Sequence, residues 1–360
     1  MAEISPVPVD EVRFLKARDT LFTFDFRALG EDPSYRIPAM WKYENLTPWI
    51  ALGWATVNED AALIAYRSPY KQLVVPKGDD PTISLYRRLK AAALDRSIRA
   101  LWVAVPHPDA DEFALQKGLR INYSYKQFLR LNDKLEQKKL LRDLTPRWRP
   151  VGATKELKGV ASGYLKRRHG SGGFTVFKAS EMGSSKVRDL LAAQPSDWYF
   201  EETASGVPHS VQGLRSGGRH VVFGFSEQCI EDGRYFKGSR ILPLANLTAK
   251  VAAQLSAAID RLEPLFSGYE GFWGIDFILD EDETVKVLEA NVRVTAATIP
   301  TLMVNFANAS RALYREDVPP REAAGSSAII LTVDPDRAGV DVLKFQPNET
   351  VLDKSTLLGI

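Results

Sequence analysis

The segment from residue 271 to residue 293 constrains the fold of this chain more than any other part of the sequence. An apolar strand is predicted over 272–279, an acidic turn over 280–283 and a return strand over 284–290. Side chains alternate between the two faces of a strand, so each strand presents one apolar face and one face that carries polar residues. The segment therefore predicts a β-hairpin with carboxylates set among apolar neighbours.

The polar residues of the two strands are predicted to meet on one face. A four-residue turn places Val287 opposite Asp276, with Val285, Val287 and Glu289 on the same face. Asp276 and Glu289 are then diagonal neighbours, about 7–8 Å apart at Cα. Two carboxylates and the amide oxygen of Asn291 form a set of hard ligands that suits Mg²⁺, with phosphate and water completing the coordination.

Acidic residues in a hairpin are usually solvated, and this reading fits the turn acids at 280–283. It fits Asp276 and Glu289 less well, because carboxylates among apolar neighbours need a partner. Arg293 follows Asn291 by two residues and is placed to direct its guanidinium at an anion bound there. The pattern favours a cation site with an anion beside it.

This hairpin resembles the metal-binding signature of the ATP-grasp superfamily, in which an Asp, Glu or Gln on one strand precedes a Glu-x-Asn pair on the next. The matching residues are Asp276, Glu289, Asn291 and Arg293. The resemblance implies an α/β and α+β protein with the ATP-grasp fold, in which two α+β lobes sandwich the nucleotide after an open α/β domain. It also implies ATP and Mg²⁺ as cofactors, with Mn²⁺ as an alternative metal.

Two upstream lysines also match the superfamily. A helix is predicted to begin after the N-cap Asn132 and to end before Pro146, and the resemblance assigns its Lys134 to the nucleotide phosphates. A strand over 174–178 ends in Lys178, which receives the same role. The loop that follows, 180–186, resembles the flexible loop over the β- and γ-phosphates, with contacts assigned to Ser180, Gly183, Ser184 and Ser185. This loop contains fewer glycines than the loops of many relatives.

Glu201 and Glu202 match the strand that joins the two nucleotide lobes, where an acid binds the ribose hydroxyls. Strand alternation allows only one of them to face the cleft. Many dipeptide-forming relatives carry an arginine two residues before the first metal-binding acid, and Gly274 stands at that position. The resemblance therefore assigns the stabilisation of the transferring phosphoryl group to Arg293 or Arg240.

Three regions are predicted along the chain. Residues 1–125 form an open α/β domain, 126–315 the ATP-grasp region, and 316–360 a C-terminal extension that serves as a lid or returns to the sheet. The elements predicted in the first region are strands at 49–57, 62–66, 72–75 and 100–105, with helices over 81–96 and 108–118. Those predicted later are a hairpin over 208–226, helices over 244–266 and 295–313, a linker at 316–326 and a strand at 327–333.

Composition excludes several classes of protein. The 360 residues are 45% hydrophobic and 26% charged, which is typical of a folded chain. A net charge of +2 gives no support for nucleic-acid binding, and no apolar run reaches the length of a membrane span. One cysteine and a start without a signal-peptide pattern lead us to expect a cytoplasmic protein, and a homodimer is left open.

The activity implied by the resemblance is ATP-dependent ligation of a small-molecule carboxylate to an amine through an acyl phosphate. Amino acids and short peptides are the commonest substrates of such enzymes. One alternative keeps the fold and changes the reaction, to a biotin-carboxylase-like enzyme or a kinase, although the chain lacks a Met-Lys-Met biotin site. A second alternative is a nucleotide-binding regulatory protein without activity, which the glycine-poor loop favours.

Overall fold

The computed structural model describes residues 3–4, 20–23, 63–67, 71–75, 98–170, 173, 175–306, 311–318, 328–330 and 340–345. The strand predicted at 49–57 and the helix predicted at 81–96 lie outside these residues. None of the helices in the described part of the chain has the length and apolarity that a membrane span requires.

The strands are β1 (Glu3–Ile4), β2 (Thr20–Thr23), β3 (Leu63–Arg67), β4 (Lys71–Val75), β5 (Ala100–Val103), β6 (Arg120–Ile121), β7 (Trp148–Pro150), β8 (Tyr164–Arg167), β9 (Val176–Lys178), β10 (Trp198–Glu201), β11 (Val207–Ser216), β12 (Arg219–Glu231), β13 (Tyr235–Leu242), β14 (Gly271–Leu279), β15 (Val285–Asn291), β16 (Ala312–Val318), β17 (Ala328–Ile330) and β18 (Val340–Phe345). The helices are α1 (Pro108–Lys117), α2 (Tyr125–Leu131), α3 (Lys134–Leu141), α4 (Ser185–Ala193), α5 (Ala249–Phe266) and α6 (Thr298–Phe306). Together the described strands form three sheets.

The first sheet is a mixed five-stranded sheet with the order β4-β3-β2-β5-β6. Strands β2, β5 and β6 run parallel, while β3 and β4 extend the sheet as an antiparallel pair. Three of the predicted strands are confirmed as β3, β4 and β5. The predicted helix after them is confirmed as α1, which ends where Gly118 adopts a left-handed conformation with φ 63°.

The second sheet has four antiparallel strands in the order β7-β10-β8-β9. One of its faces packs against α4 through a core that includes Leu165, Phe177 and Trp198. Because Tyr199 pairs with Lys166 and Glu201 ends the same strand, these three side chains emerge on the opposite face. The second sheet therefore presents polar groups away from its own core.

The third sheet has nine strands, in the order β15-β14-β11-β12-β13-β16-β18-β17, with β1 parallel to β12. Helix α5 packs on one face, where Leu255, Ile259 and Leu262 join the core with Ile275 and Phe277. The C-terminal strands extend this sheet beyond β13, so β16 and its neighbours return to the sheet. The predicted linker at 316–326 is wrong at its start, because β16 continues to Val318.

The hairpin predicted over 272–290 is confirmed as β14 and β15, but its predicted register is wrong. A β-bulge after Asp276 leaves Leu288 without a cross-strand partner, so Asp276 pairs directly with Glu289. Val287 pairs instead with Phe277 and points into the core. The valines of β15 therefore do not share a face with Glu289, and the two carboxylates are direct neighbours rather than diagonal ones.

Two helix boundaries differ from the predictions. Asp133, not Asn132, is the N-cap of α3, because its Oδ1 accepts hydrogen bonds from the amides of Leu135 at 3.1 Å and Glu136 at 3.2 Å. Asn132 ends α2 instead. The helix predicted at 295–313 is shorter within the described residues and spans Thr298–Phe306.

Candidate active site

Asp276, Glu289 and Asn291 converge at the base of the β14–β15 hairpin. Asn291 Nδ2 donates to Asp276 Oδ2 at 2.9 Å and to Glu289 Oε1 at 3.2 Å, so one amide touches both carboxylates. Gln228 Nε2 donates to the other Asp276 oxygen at 2.9 Å. Asn291 Oδ1 accepts from Arg293 Nη2 at 2.8 Å, which links the guanidinium to the same cluster.

The two carboxylates have different charge environments. Burial opposes ionisation of Glu289, but the Lys134 ammonium 2.6 Å away outweighs it and holds the pKa of this carboxyl below its ordinary value. Burial and the neighbouring Glu289 charge raise the pKa of Asp276, because the hydrogen bonds it accepts from neutral groups, Ser210 among them, only partly compensate. Of the two carboxylates, Asp276 is therefore the one whose ionised form a bound cation would stabilise more.

This donor set fits Mg²⁺. Two half-buried carboxylates on paired strands supply hard oxygen ligands, and a magnesium ion completes its shell with phosphate and water. Asn291 directs its amide nitrogen at both carboxylates and its Oδ1 at Arg293, so its oxygen becomes a ligand only if the amide rotates. Within the described residues, no three or more His, Cys, Asp or Glu side chains are arranged so that they could hold a metal ion by themselves. The arrangement therefore suits an ion shared with a ligand better than an ion held by protein groups alone.

The two predicted arginines lie in different places. Arg293 is buried beside the cluster of Asp276, Glu289 and Asn291. The structure places Arg240 elsewhere: it is exposed and pairs with Glu227 at 2.9 Å. Glu227 and Gln228 are consecutive on β12 and point to opposite faces, and Gln228 is the one that reaches Asp276. Arg240 therefore lies on the far face of the sheet.

The space beside Gly274 is filled by a polar cluster. A Cβ at this position would lie 3.1 Å from Thr295 Cγ2 and 3.2 Å from Gln212 Nε2. The hydroxyls of Thr295 and Thr298 donate to Gln212 Oε1 at 2.8 and 3.0 Å and hold the amide in place. No arginine fits here without displacing this cluster, and Arg293 is the guanidinium that contacts Asn291.

Glu201 and Glu202, the two acids at the end of β10, differ in burial: Glu201 is buried and Glu202 is exposed. Glu201 is buried between two lysines, with Oε2 against Lys138 and Oε1 against Lys166. Burial opposes its ionisation, but the two ammonium groups lower its pKa. Burial lowers the pKa of Lys138 to about 8. Both oxygens of Glu201 thus contact lysines, and the predicted contact of Glu201 or Glu202 with ribose hydroxyls stays a prediction.

Lys166, rather than Lys178, is the strand lysine turned toward the carboxylates. Lys178 Nζ pairs with Asp232 Oδ1 at 2.6 Å, in the exposed turn between β12 and β13. Lys166 lies on the neighbouring strand β8, contacts Glu201, and contributes to the low pKa of Glu289. Lys178 pairs with Tyr164, so it shares a face of the β8–β9 hairpin with Lys166, but its ammonium is directed to Asp232. The phosphate contact of Lys178 stays a prediction.

The predicted phosphate loop at 180–186 is instead the start of α4. Ser180 lies in a short 3₁₀ turn, Gly183 lies in a turn, and the Ser184 hydroxyl accepts a hydrogen bond from the Val187 amide at 3.3 Å as the N-cap. Ser185 is the first residue of the helix. These groups satisfy the helix terminus, so they do not form a flexible loop.

A glycine-rich connection follows Lys166 instead. The sequence between β8 and β9 contains Gly170, Gly172 and Gly173, and Gly173 has φ 81°. The sequence did contain a signal for this arrangement, a strand lysine followed by a glycine run. The prediction of a phosphate loop at 180–186 did not use it. Backbone amides in such a loop can approach phosphate oxygens without steric hindrance from side chains.

The glycine-rich connection is anchored to the start of α3. Arg168 donates from Nε and Nη2 to Asp133 Oδ2 at 2.9 and 2.5 Å, and the Lys134 amide donates to the Arg168 carbonyl at 3.2 Å. Asp133 caps the helix that carries Lys134. One pair of side chains therefore fixes the glycine-rich connection beside the lysine that contacts Glu289.

Comparisons with known proteins agree with this geometry. Residues 131–297 match the family model for an ATP-grasp domain. A putative ATP-grasp superfamily protein from Archaeoglobus fulgidus has 18% identity and a TM-score of 0.55, covering 91% of this chain and 99% of its own. No curated protein matches the chain by sequence.

Two further solved structures share the fold. Carboxyaminoimidazole ribonucleotide synthase from Aspergillus clavatus, complexed with ATP, has 14% identity and a TM-score of 0.52, covering 73% of this chain and 80% of its own. Biotin carboxylase from Campylobacter jejuni, in a β,γ-ATP complex, has 14% identity and a TM-score of 0.54, covering 73% and 74%. At these identities the likeness concerns the fold. With the family match, it shows that the chain is similar to ATP-grasp proteins, with the match to an ATP-grasp domain at residues 131–297.

Proposed function

We propose that this protein is an ATP-dependent ligase that joins a carboxylate to an amine through an acyl phosphate. The observation that carries the proposal is the half-buried pair Asp276 and Glu289, bridged by Asn291 and faced by cationic side chains. The match of residues 131–297 to an ATP-grasp domain supports the use of ATP, and the donor set supports Mg²⁺. Mn²⁺ prefers the same oxygen ligands.

The cations of the site suit a polyphosphate. Lys134 and Arg293 flank the hairpin, and Lys166 approaches from the second sheet. Asp276, Glu289 and Asn291 would hold Mg²⁺, which would neutralise phosphate charge. The lysines then stabilise the remaining phosphate charge, and the site acts mainly by positioning groups and matching charge.

The proposed reaction has two steps. A substrate carboxylate oxygen attacks the γ-phosphorus of ATP, ADP leaves with the bridging oxygen, and an acyl phosphate forms. The amine then attacks the acyl carbon, inorganic phosphate leaves, and a proton is released as the amide forms. Arg293 is the residue proposed to stabilise the transferring phosphoryl group, because it is the guanidinium joined to Asn291.

A second candidate keeps the first step and uses bicarbonate as the carboxylate. Two of the compared structures are a carboxyaminoimidazole ribonucleotide synthase and a biotin carboxylase, which gives this candidate its support. The inactive alternative loses its support, because the glycines it lacked at 180–186 occur between β8 and β9. The acceptor that stimulates ADP release distinguishes the two active candidates.

The test is ADP release from Mg-ATP with panels of acid–amine pairs and, separately, with bicarbonate and amines. Glu289→Gln removes a proposed metal ligand and should lower ADP release on the order of 100-fold. Glu281→Gln, which changes an exposed acid in the turn of the same hairpin, is the matched control and should leave the rate unchanged. Wild-type turnover in Glu289→Gln would refute the proposed site.

A further inference from the structure

Helix α3 presents two lysines to two different acids. Lys134 and Lys138 are four residues apart, so they lie on one face of the helix. Lys134 reaches Glu289 on β15, and Lys138 reaches Glu201 on β10. Glu201 also contacts Lys166 through its other oxygen, so one buried carboxylate holds two ammonium groups.

The hydrogen bonds of Lys138 are all used inside the protein. An ammonium group has three donors. In addition to Glu201, Lys138 Nζ contacts Thr145 Oγ1 at 2.5 Å and the Val287 carbonyl at 3.4 Å, and its side chain is 1% exposed. Lys138 therefore has no donor left for a ligand and no route to water.

Lys166 is bound less completely. Its side chain is 14% exposed, and within the described residues Glu201 is its oxygen acceptor, with the Tyr164 ring centroid 5.7 Å from its Nζ. An ammonium held by one carboxylate oxygen keeps donors for an anion. Of the two lysines on Glu201, Lys166 is thus the one able to contact a phosphate.

We propose that Lys138 is a positioning residue that neutralises Glu201. The positive charge of Lys166 is then not cancelled by Glu201 and can attract the nucleotide phosphates. The two lysines and one glutamate carry a net charge of +1. Without Lys138, the Lys166–Glu201 pair is neutral and its attraction for a phosphate falls. Lys138 also binds the second oxygen of Glu201, which fixes the carboxylate that orients Lys166.

This inference rests on the proposed function only for Mg-ATP binding. Its experiment measures dissociation constants for Mg-ATP and for adenosine, which lacks phosphates. Lys138→Met should weaken Mg-ATP binding about tenfold, the size of one charge-assisted hydrogen bond, and leave adenosine binding unchanged. Lys139→Met alters the next residue of the helix, which is exposed and pairs with Glu136, and is the matched control.

A second substitution sharpens the test. Adding Glu201→Gln to Lys138→Met removes the neutralising carboxylate, restores the net charge of +1, and should recover part of the lost Mg-ATP affinity. Lys138→Gln, which keeps donors for Thr145 and the Val287 carbonyl, replaces Lys138→Met if that variant does not fold. The predicted pattern is weak ATP binding, normal adenosine binding and rescue by the second change.

A different pattern would overturn the inference. If Lys138→Met binds Mg-ATP within twofold of wild type, or loses adenosine binding to the same extent, Lys138 serves only to hold the fold. The readout is binding and not amide formation. A wild-type protein that binds Mg-ATP but ligates no substrate would therefore refute the proposed reaction without affecting this test.

Discussion

Replacing Asp276 by Asn should stabilise the metal-free protein at high pH and abolish its response to Mg-ATP. Asp276 is half-buried, and the hydrogen bonds that the structure gives it come from neutral groups, including Gln228 and Asn291. A buried carboxylate without a cation destabilises the folded state when it ionises. An amide of the same shape does not ionise, so the variant avoids this loss but gives up a proposed metal ligand.

The size of the expected change in the free energy of unfolding follows from the pKa of Asp276. Burial and the Glu289 charge raise this pKa to about 7 from an ordinary value of 3.8. Between the two values the unfolded chain has released the proton and the folded chain still holds it, so the free energy of unfolding falls as pH rises. A difference of about three pKa units corresponds to about 4 kcal/mol, and about two of these units lie above pH 5.

The measurement is urea unfolding of both proteins in EDTA at pH 5 and pH 8. The stability of Asp276→Asn relative to wild type should increase by about 2–3 kcal/mol between these pH values. The new amide also opposes the donors of Gln228 and Asn291, but this mismatch is the same at both pH values and cancels. The control is Asp282→Asn, which makes the same change at an exposed residue of the hairpin turn.

A relative stability that stays constant with pH would refute the reasoning about Asp276. The functional half of the prediction uses thermal unfolding. Mg-ATP should raise the unfolding temperature of wild type, because a ligand that binds only the folded state stabilises it. The same concentration should leave Asp276→Asn unchanged, and an equal shift in both proteins would exclude Asp276 from the metal site.

Two further substitutions test the lysine assignment and the packing of the third sheet. Lys166→Met should weaken Mg-ATP binding about tenfold in calorimetric titrations, whereas Lys178→Met, which breaks an exposed pair, should leave it unchanged; the reverse result would restore the role assigned from sequence. Gly213→Ala should lower the free energy of unfolding by about 1–3 kcal/mol in urea, because a Cβ there lies 2.1 Å from Trp273 Cζ2. Gly183→Ala, where no atom lies within 4 Å of the added Cβ, is its control, and equal losses in both variants would contradict the packing argument.

Local sequence patterns predicted the turns, helix ends and strand faces that depend on residues close together in the sequence. The hairpin β11–β12 turns at Gly217 and Gly218, which have φ 56° and 74°, and glycine pairs of this kind favour two-residue turns. The end of α1 at Gly118 has the same kind of origin. Alternation along β14 also placed Asp276 on the face opposite the core.

Contacts between distant segments were not predictable from the same patterns. Helical spacing shows that Lys134 and Lys138 share a face, but not that Glu201, on a different sheet, is the partner of the second one. Arg240 was assigned to the site by its neighbourhood in the sequence, and the cross-strand pairing with Glu227 decides its face instead. Two lysines on adjacent antiparallel strands look equivalent in sequence, and only the assembled fold separates Lys166 from Lys178.

The bulge in β15 was, by contrast, encoded in the sequence. On β14 the core residues stand at every second position, as Ile275 and Phe277 do. On β15 this spacing is broken, because Val287 and Ala290 both enter the core although they are three residues apart. Two paired strands can bury both sets on the same side only if one strand contains an extra residue between them.

The alternative register shows why the extra residue is needed. If the pairing of Phe277 with Val287 continued without interruption, Ile275 would face Glu289, and the carboxylate would enter the apolar core beneath α5. An unpaired buried charge destabilises a protein by several kcal/mol, far more than an interrupted ladder hydrogen bond. The bulge at Leu288 removes this conflict and places Glu289 opposite Asp276. The register that keeps apolar residues in the core is therefore also the register that brings together the two carboxylates of the proposed metal site.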